Sequence, residues 1–335
     1  MVSLPQKVLI EPNAIEKIGD MCKELGLNGK PLVICDPALE FGETIARITG
    51  AETLSPESSE MAYLKNLSEK AGPFSFIIGV GGGRTIDMAK YLSYLSGKKW
   101  VCFPTILSHD GVVSSRAAIT DNGAKISLDA KEPVAIAIDS EIIRNAPYRY
   151  IAAGAADVVS NVSSVEDWRL GSELGEKYST VVAELSLLSA KAVISHVKEI
   201  RERTEHGIYT LGWSLICSGL AMNIYGSSRP ASGSEHNFSH ALEKLGSTLI
   251  HGEQCALGTI ISTYLQNKDW RKIKSVFHEL GIPTHVNDMD IGESMLIDAL
   301  VLAKSIRVHP RYTILDRYHI NRARAKEILG NVRII

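Results

Sequence analysis

Apolar residues recur in two rhythms along this chain, and the rhythm changes near its middle. In the first half, short runs rich in apolar and β-branched residues are mostly bounded by Gly, Pro or Asp. They lie at residues 7–11, 32–35, 76–80, 100–103 and 134–138. Such runs read as strands. Stretches with a helical repeat, among them 60–71 and 85–95, separate several of them. Strand–helix alternation predicts a mostly parallel, doubly wound sheet. Asn13 followed by Glu16 predicts a capping box for the first helix, which Gly26 ends. Residues 119–128, with Asp121-Asn122-Gly123 at their centre, predict a hairpin inserted into the alternation.

From Ile151 onward the β-rich runs disappear. Helical periodicity takes over, most clearly at 180–197, 207–225 and 258–266, and Gly281 and Pro283 punctuate it. The pattern predicts an α/β dinucleotide-binding domain over residues 1–147 and an all-α domain over 148–335, divided near Ala146-Pro147. A catalytic cleft is expected between the halves, where ligand sites concentrate. Residues 207–228 are uncharged and long enough to test as a membrane span. Gly212, Ser214, Ser218, Gly219, Asn223 and Gly226 make the stretch too polar for lipid, so it reads as a helix buried in a large soluble domain.

Composition works by exclusion. At 335 residues, 45% hydrophobic and 22% charged, the chain is globular and long enough for two domains. Its 36 basic and 38 acidic residues leave a net charge of −2, with no basic field for nucleic acid. Five scattered cysteines (Cys22, Cys35, Cys102, Cys217, Cys255) without CxxC spacing argue against a disulfide framework or a zinc ribbon. A reducing cytoplasm suits them. Residues 1–12 carry no signal-peptide pattern.

The sharpest local signal is Gly79-Val80-Gly81-Gly82-Gly83-Arg84-Thr85-Ile86-Asp87, where a strand runs through three consecutive glycines into a helix. Glycines let a backbone approach a pyrophosphate, and a helix N-terminus offers free N–H groups to it. The spacing is not the GxGxxG fingerprint, and a tight ligand-free turn would use the same residues. Asp36, just after a strand, could take a ribose hydroxyl or cap its own turn. Pro104-Thr105-Ile106-Leu107-Ser108-His109-Asp110-Gly111 follows a strand directly, where such sheets carry binding groups. In the second half Asp157 lies amid small apolar residues, His236 and His240 share one face of a helix, and His251 opens His251-Gly252-Glu253. One Asp and two His could hold a metal with open positions. Taken singly, each histidine also fits a hydrogen-bonded core position.

Together these segments resemble the iron-containing alcohol dehydrogenase, glycerol dehydrogenase and dehydroquinate synthase superfamily. The shared elements are GVGGGRTIDMAK from Gly79, PTILSHDG from Pro104, AAGAADVVS from Ala152 and HGEQCALG from His251. Within it, Ser228-Arg229-Pro230-Ala231-Ser232-Gly233-Ser234-Glu235-His236 and Arg311-Tyr312-Thr313-Ile314-Leu315 look most like archaeal sn-glycerol-1-phosphate dehydrogenases. The resemblance implies a dehydroquinate synthase-like fold and one divalent metal per subunit, zinc, on Asp157, His236 and His251. It implies NAD(H) or NADP(H) on Gly81, Gly82, Gly83, Arg84, Thr85, Thr105, Ser108 and Ser114, with Asp36 added from its position. Asp110, Asp157 and His240 would face the substrate and carry the chemistry, with His240 a candidate proton source. The implied reaction reduces dihydroxyacetone phosphate to sn-glycerol 1-phosphate for ether phospholipids. Arg116, Lys125, Arg229 and Arg311 are available cations for the phosphate. The implied protein is a homo-oligomer that binds a small phosphorylated substrate, without nucleic acid or membrane insertion. Glycerol dehydrogenase chemistry on the free polyol and a dehydroquinate synthase-type lyase are the competing readings. The lyase family typically has Glu where this chain has Asp157.

Overall fold

The apolar runs of the first half become strands whose two faces are both covered. A computed structural model describes residues 4–70, 72–307 and 311–335. The strands are Lys7–Glu11 (β1), Pro31–Cys35 (β2), Glu52–Leu54 (β3), Phe76–Gly81 (β4), Lys99–Pro104 (β5), Arg116–Asp121 (β6), Ala124–Asp129 (β7) and Ala135–Asp139 (β8). Six of them form one sheet in the order β1-β8-β5-β4-β2-β3, every pair parallel. Alternation along the strands supplies both faces. Phe76, Ile78 and Val80 pack with Ile18, Met21 and Ile45 on one side. On the other, Gly79 lets the next helix approach so closely that a Cβ there would lie 2.7 Å from that of Ala89. Burying each Val, Ile or Phe of this core contributes about 1.5–3 kcal/mol. Strands β6 and β7 form the inserted hairpin, with Asn122 and Gly123 both at positive φ as a tight two-residue turn requires.

The chain divides after Tyr148 into two compact units. The second is helical throughout. Its Glu205–Tyr225 helix is the one described helix long and apolar enough to cross a membrane, and most of it is buried inside the unit. Trp168 anchors a cluster here, its ring 4.6 Å from Tyr178 and 4.4 Å from Tyr225, its Nε1 donating to Lys177 O.

One local expectation is corrected. The first helix, Ala14–Glu24, has no capping box: Asn13 sits at φ 56° and makes no side-chain cap, whereas capping needs an extended N-cap backbone. Instead Asp139, at the end of β8, accepts the Ile15 N–H at 3.1 Å and also caps the Ser140–Asn145 helix. The sheet pairs Glu11 with Asp139, so a residue distant in sequence does the capping.

Candidate functional site

Two clusters of the expected residues form, one in each unit. In the first unit they gather at the carboxyl edge of the parallel sheet. Register places Cys35 beside Val80 and Gly81 beside Pro104, so the turns after β2, β4 and β5 are neighbours. The order in which strands are added reverses between β2 and β4, the position where such sheets open a crevice. Gly81, at φ 153°, accepts the Thr105 N–H at 3.0 Å. The Gly83–Ser96 helix begins two residues earlier than its periodicity predicted, with Gly82 as an N-cap that has no capping side chain. That uncapped first turn suits an anion such as a pyrophosphate.

Close packing explains the glycines. A Cβ on Gly83 would lie 2.2 Å from His109 Nε2, and one on Gly111 2.3 Å from the same ring. His109 is thus wedged between two glycines, its Nδ1 accepting the Gly111 N–H at 2.9 Å. Asp110 opens the Asp110–Val112 3-10 turn just beyond it. Thr105 and Ser114 are buried, Ser108 and Asp110 are partly exposed, and Arg84 is exposed. Asp36 caps its own turn by accepting the Ala38 N–H at 3.0 Å through Oδ1. Its other oxygen has no partner among the described residues, so a ribose contact remains open to it.

Gly83→Val should therefore displace His109 and weaken dinucleotide binding about 10- to 100-fold, read as a Kd by fluorescence titration. Gly82→Val meets only the flexible end of Ile106, 2.9 Å away, and should do less. Unaltered binding in Gly83→Val would leave the glycines a purely architectural role.

In the second unit three helices converge. Asp157 comes from Tyr148–Val159, His236 from Ser234–Lys244 and His251 from the first position of His251–Leu265. Two glycines permit the approach. A Cβ on Gly252 would lie 2.0 Å from Ala153 O, and one on Gly258 2.5 Å from Glu235 O. Both histidine Nε2 atoms stand 3.5 Å from Asp157 Oδ1. Cys255, one turn along from His251, joins them: its Sγ is 3.5 Å from His251 Nε2, and one donor atom from each of the four residues falls within 4.8 Å of the others.

The ring orientations are set from behind. His236 Nδ1 faces Glu235 Oε1 at 2.9 Å. His251 Nδ1 faces Ser239 Oγ at 3.2 Å, and that hydroxyl donates onward to Gln254 at 2.7 Å. Such partners fix which nitrogen is offered to a cation. Glu253 is held bidentately by Arg149 at 2.6 and 2.7 Å and accepts the Ile250 N–H, securing the helix start. Asp167 accepts the Ser234 N–H at 2.7 Å at the start of the His236 helix. Burial and the nearby Glu235 carboxylate push it up to about 6.

The buried groups of the cluster hold one another's charged forms. Burial favours neutral forms, yet Asp157 is held far below the ordinary carboxylate range by His236 and His251. Burial also disfavours charged histidines, yet both are pushed up by Cys255 and Asp157. Metal–donor bonds of about 2.0–2.3 Å at a tetrahedral angle separate neighbouring donors by roughly 3.3–3.6 Å. The 3.5 Å spacings match, so the donor set fits a divalent ion. Asp157 is 3% exposed, His236 12% and His251 30%, which leaves one side approachable.

His240 lies beside this cluster, its ring centroid 6.4 Å from that of His236. The resemblance makes His240 a candidate proton source. Burial, together with Arg307, His236 and His251, pushes it down to about 4, against the opposing pull of Glu243. Two expected phosphate cations are also occupied. Arg229 is buried in an ion pair with Glu176, and Arg116 pairs with Asp129. Sequence reasoning missed Cys255 and Arg307. The four-residue step from His251 would have revealed Cys255 had the helix been started at 251 instead of 258.

The profile of the family described as "Iron-containing alcohol dehydrogenase" matches residues 9–147. A "Glycerol-1-phosphate dehydrogenase [NAD(P)+]" of Methanosarcina mazei is 39% identical over 94% of this chain and 91% of its own length. The protein so named from Methanothermobacter thermautotrophicus is 37% identical over 100% and 99%. Among solved structures, glycerol dehydrogenase from Schizosaccharomyces pombe superposes with a TM-score of 0.83 at 19% identity, covering 99% of this chain and 90% of that one. Sulfoacetaldehyde reductase from Bifidobacterium kashiwanohense, solved with NAD+, superposes at 0.74 and 16% identity over 99% and 98%. These two structures establish likeness of fold.

Proposed function

Because the chain belongs to the glycerol-1-phosphate dehydrogenase family within the iron-containing alcohol dehydrogenases, we propose that it is an NAD(P)-dependent dehydrogenase. On this reading it interconverts dihydroxyacetone phosphate and sn-glycerol 1-phosphate, the backbone for ether phospholipids, in the cytoplasm. What carries the reading is 37–39% identity across more than nine-tenths of both chains. The Asp157–His236–His251–Cys255 cluster supports it independently.

Asp157, His236 and His251 would hold the divalent ion. Cys255 lies within reach as a further donor that a substrate oxygen would join or replace, and a thiolate among imidazoles favours zinc over harder ions. When bound, the ion supplies Lewis-acid polarisation of the substrate carbonyl, and the nicotinamide supplies the hydride. The protein's own residues do the rest. The uncapped turn at Gly82 and Gly83 would cradle the pyrophosphate. His240, neutral at physiological pH, offers one N–H to a substrate oxygen and can pass a proton along without storing it. Its ring keeps 41% of its side-chain surface exposed, so a substrate can reach it.

The test uses purified protein with dihydroxyacetone phosphate or dihydroxyacetone and each reduced cofactor. The phosphorylated ketone should be preferred by roughly 30- to 5,000-fold, because a site built for a dianion leaves its donors unpaired with the smaller substrate. A chiral assay should find the sn-1 product. Comparable efficiency on both substrates would sink the phosphate reading. Turnover without change in nicotinamide absorbance would indicate a lyase.

A further inference from the structure

The helix that carries His236 has a cationic flank. Residues advance by about 100° around a helix, so His236, His240 and Asn237 follow one another at roughly 0°, 40° and 100°. At the Asn237 end stands Arg307. Its Nε donates to Asn237 Oδ1, and its Nη2 donates to Ser232 Oγ at 2.6 Å. Both acceptors are buried and neutral. Among the described residues no carboxylate pairs with Arg307. The acid it senses, Glu235, already bonds His236, Ser163 and the Gly233 N–H. Arg307 Nη1 has no partner among the described residues, nor is it among the sealed, unsatisfied atoms.

This arrangement is unusual for a guanidinium. Charges drawn into a protein are normally paired, and burial, with Arg311 beside it, disfavours the charge of Arg307. Arg311 adds positive potential while bracing the same loop through Ser232 O at 3.1 Å and Ser228 Oγ at 2.9 Å. Arg229 differs: Glu176 already neutralises it. Arg307 is therefore a fixed cation held by neutral oxygens, with one edge of its fork left to bind an anion.

We propose that Arg307 anchors the phosphate of the substrate, oriented by Asn237 and Ser232 and set beside His240 on the metal-binding helix. This rests on the reading of the chain as a dehydrogenase for a phosphorylated triose. Neighbouring side chains on one helix face lie about 5–6 Å apart, a span comparable to that between the carbonyl and phosphate of a three-carbon substrate. One end of the substrate then sits at the metal cluster and the other at Arg307.

The experiment measures kcat/KM for dihydroxyacetone phosphate and dihydroxyacetone, and inhibition by inorganic phosphate, in the native enzyme, Arg307→Ala and Arg307→Lys. Arg307→Ala should lower efficiency on the phosphorylated ketone by about 30- to 300-fold, mainly through KM. Efficiency on dihydroxyacetone should fall less than about threefold, and phosphate should inhibit at least about tenfold more weakly. Should the alanine variant fold poorly, Arg307→Lys gives the same answer. One ammonium cannot serve Asn237, Ser232 and two phosphate oxygens together, so KM still rises. A native preference for phosphate that survives in both variants overturns this assignment alone. A native enzyme indifferent to the phosphate overturns it together with the functional reading.

Discussion

His251→Ala is expected to strip the bound divalent metal and lower kcat by at least about 10³-fold, while the protein stays folded. The size follows from losing several kcal/mol of charge stabilisation at the reacting carbonyl. The fold should survive because the helix start does not depend on the imidazole: Glu253 still accepts the Ile250 N–H, and Ser239 still donates to Gln254. Metal content by elemental analysis, beside a thermal melt, checks both halves. Full occupancy with near-native turnover would remove His251 from the site. Cys255→Ala should behave differently. Asp157 and both histidines, the residues that would hold the ion, all remain, so metal is retained at lower affinity, but the cobalt-substituted enzyme should lose a thiolate-to-metal charge-transfer band. A native cobalt enzyme without that band would remove Cys255 from the donor set.

Much of this architecture was legible because it is local. The strand runs announce themselves through unbroken β-branched stretches, since both sheet faces are buried. The glycine turn shows because its glycines are consecutive. The edge strand Glu52–Leu54 escaped notice because it is three residues long and partly exposed, so no apolar run marks it. The metal donors were legible as a resemblance, but their rationale was not. Gly252 and Gly258 draw three helices together through backbone contacts that no spacing in one segment encodes. Arg307 was invisible for a related reason. No motif or spacing marks it, and only the fold shows that Arg229 has an acidic partner and that Arg307 has none among the described residues.

Lys90 offers the largest expected effect on stability. Its side chain is fully buried, and its Nζ donates to Asp87 Oδ1 at 3.1 Å, Gly111 O at 2.6 Å and Arg116 O at 2.7 Å. Asp87 in turn accepts the Ala118 N–H at 3.2 Å through Oδ2. One ammonium thus ties the glycine-turn helix to the Asp110–Val112 turn and to strand β6. Lys90→Met fills the same volume but leaves a carboxylate and two carbonyls without their donor. The loss should be about 3–5 kcal/mol, read as a lower urea midpoint at unchanged slope. Asp87→Asn should lose less, about 1–3 kcal/mol, because the ammonium keeps both carbonyls and the amide oxygen can still accept from Ala118. Salt should alter neither value much, since buried charges are poorly screened. Equal losses in the two variants would mean that the ion pair alone matters and that the carbonyls are satisfied elsewhere. The expected inequality makes Lys90 a tie for three segments, so Lys90→Met should also loosen the turn that carries Asp110 and weaken dinucleotide binding.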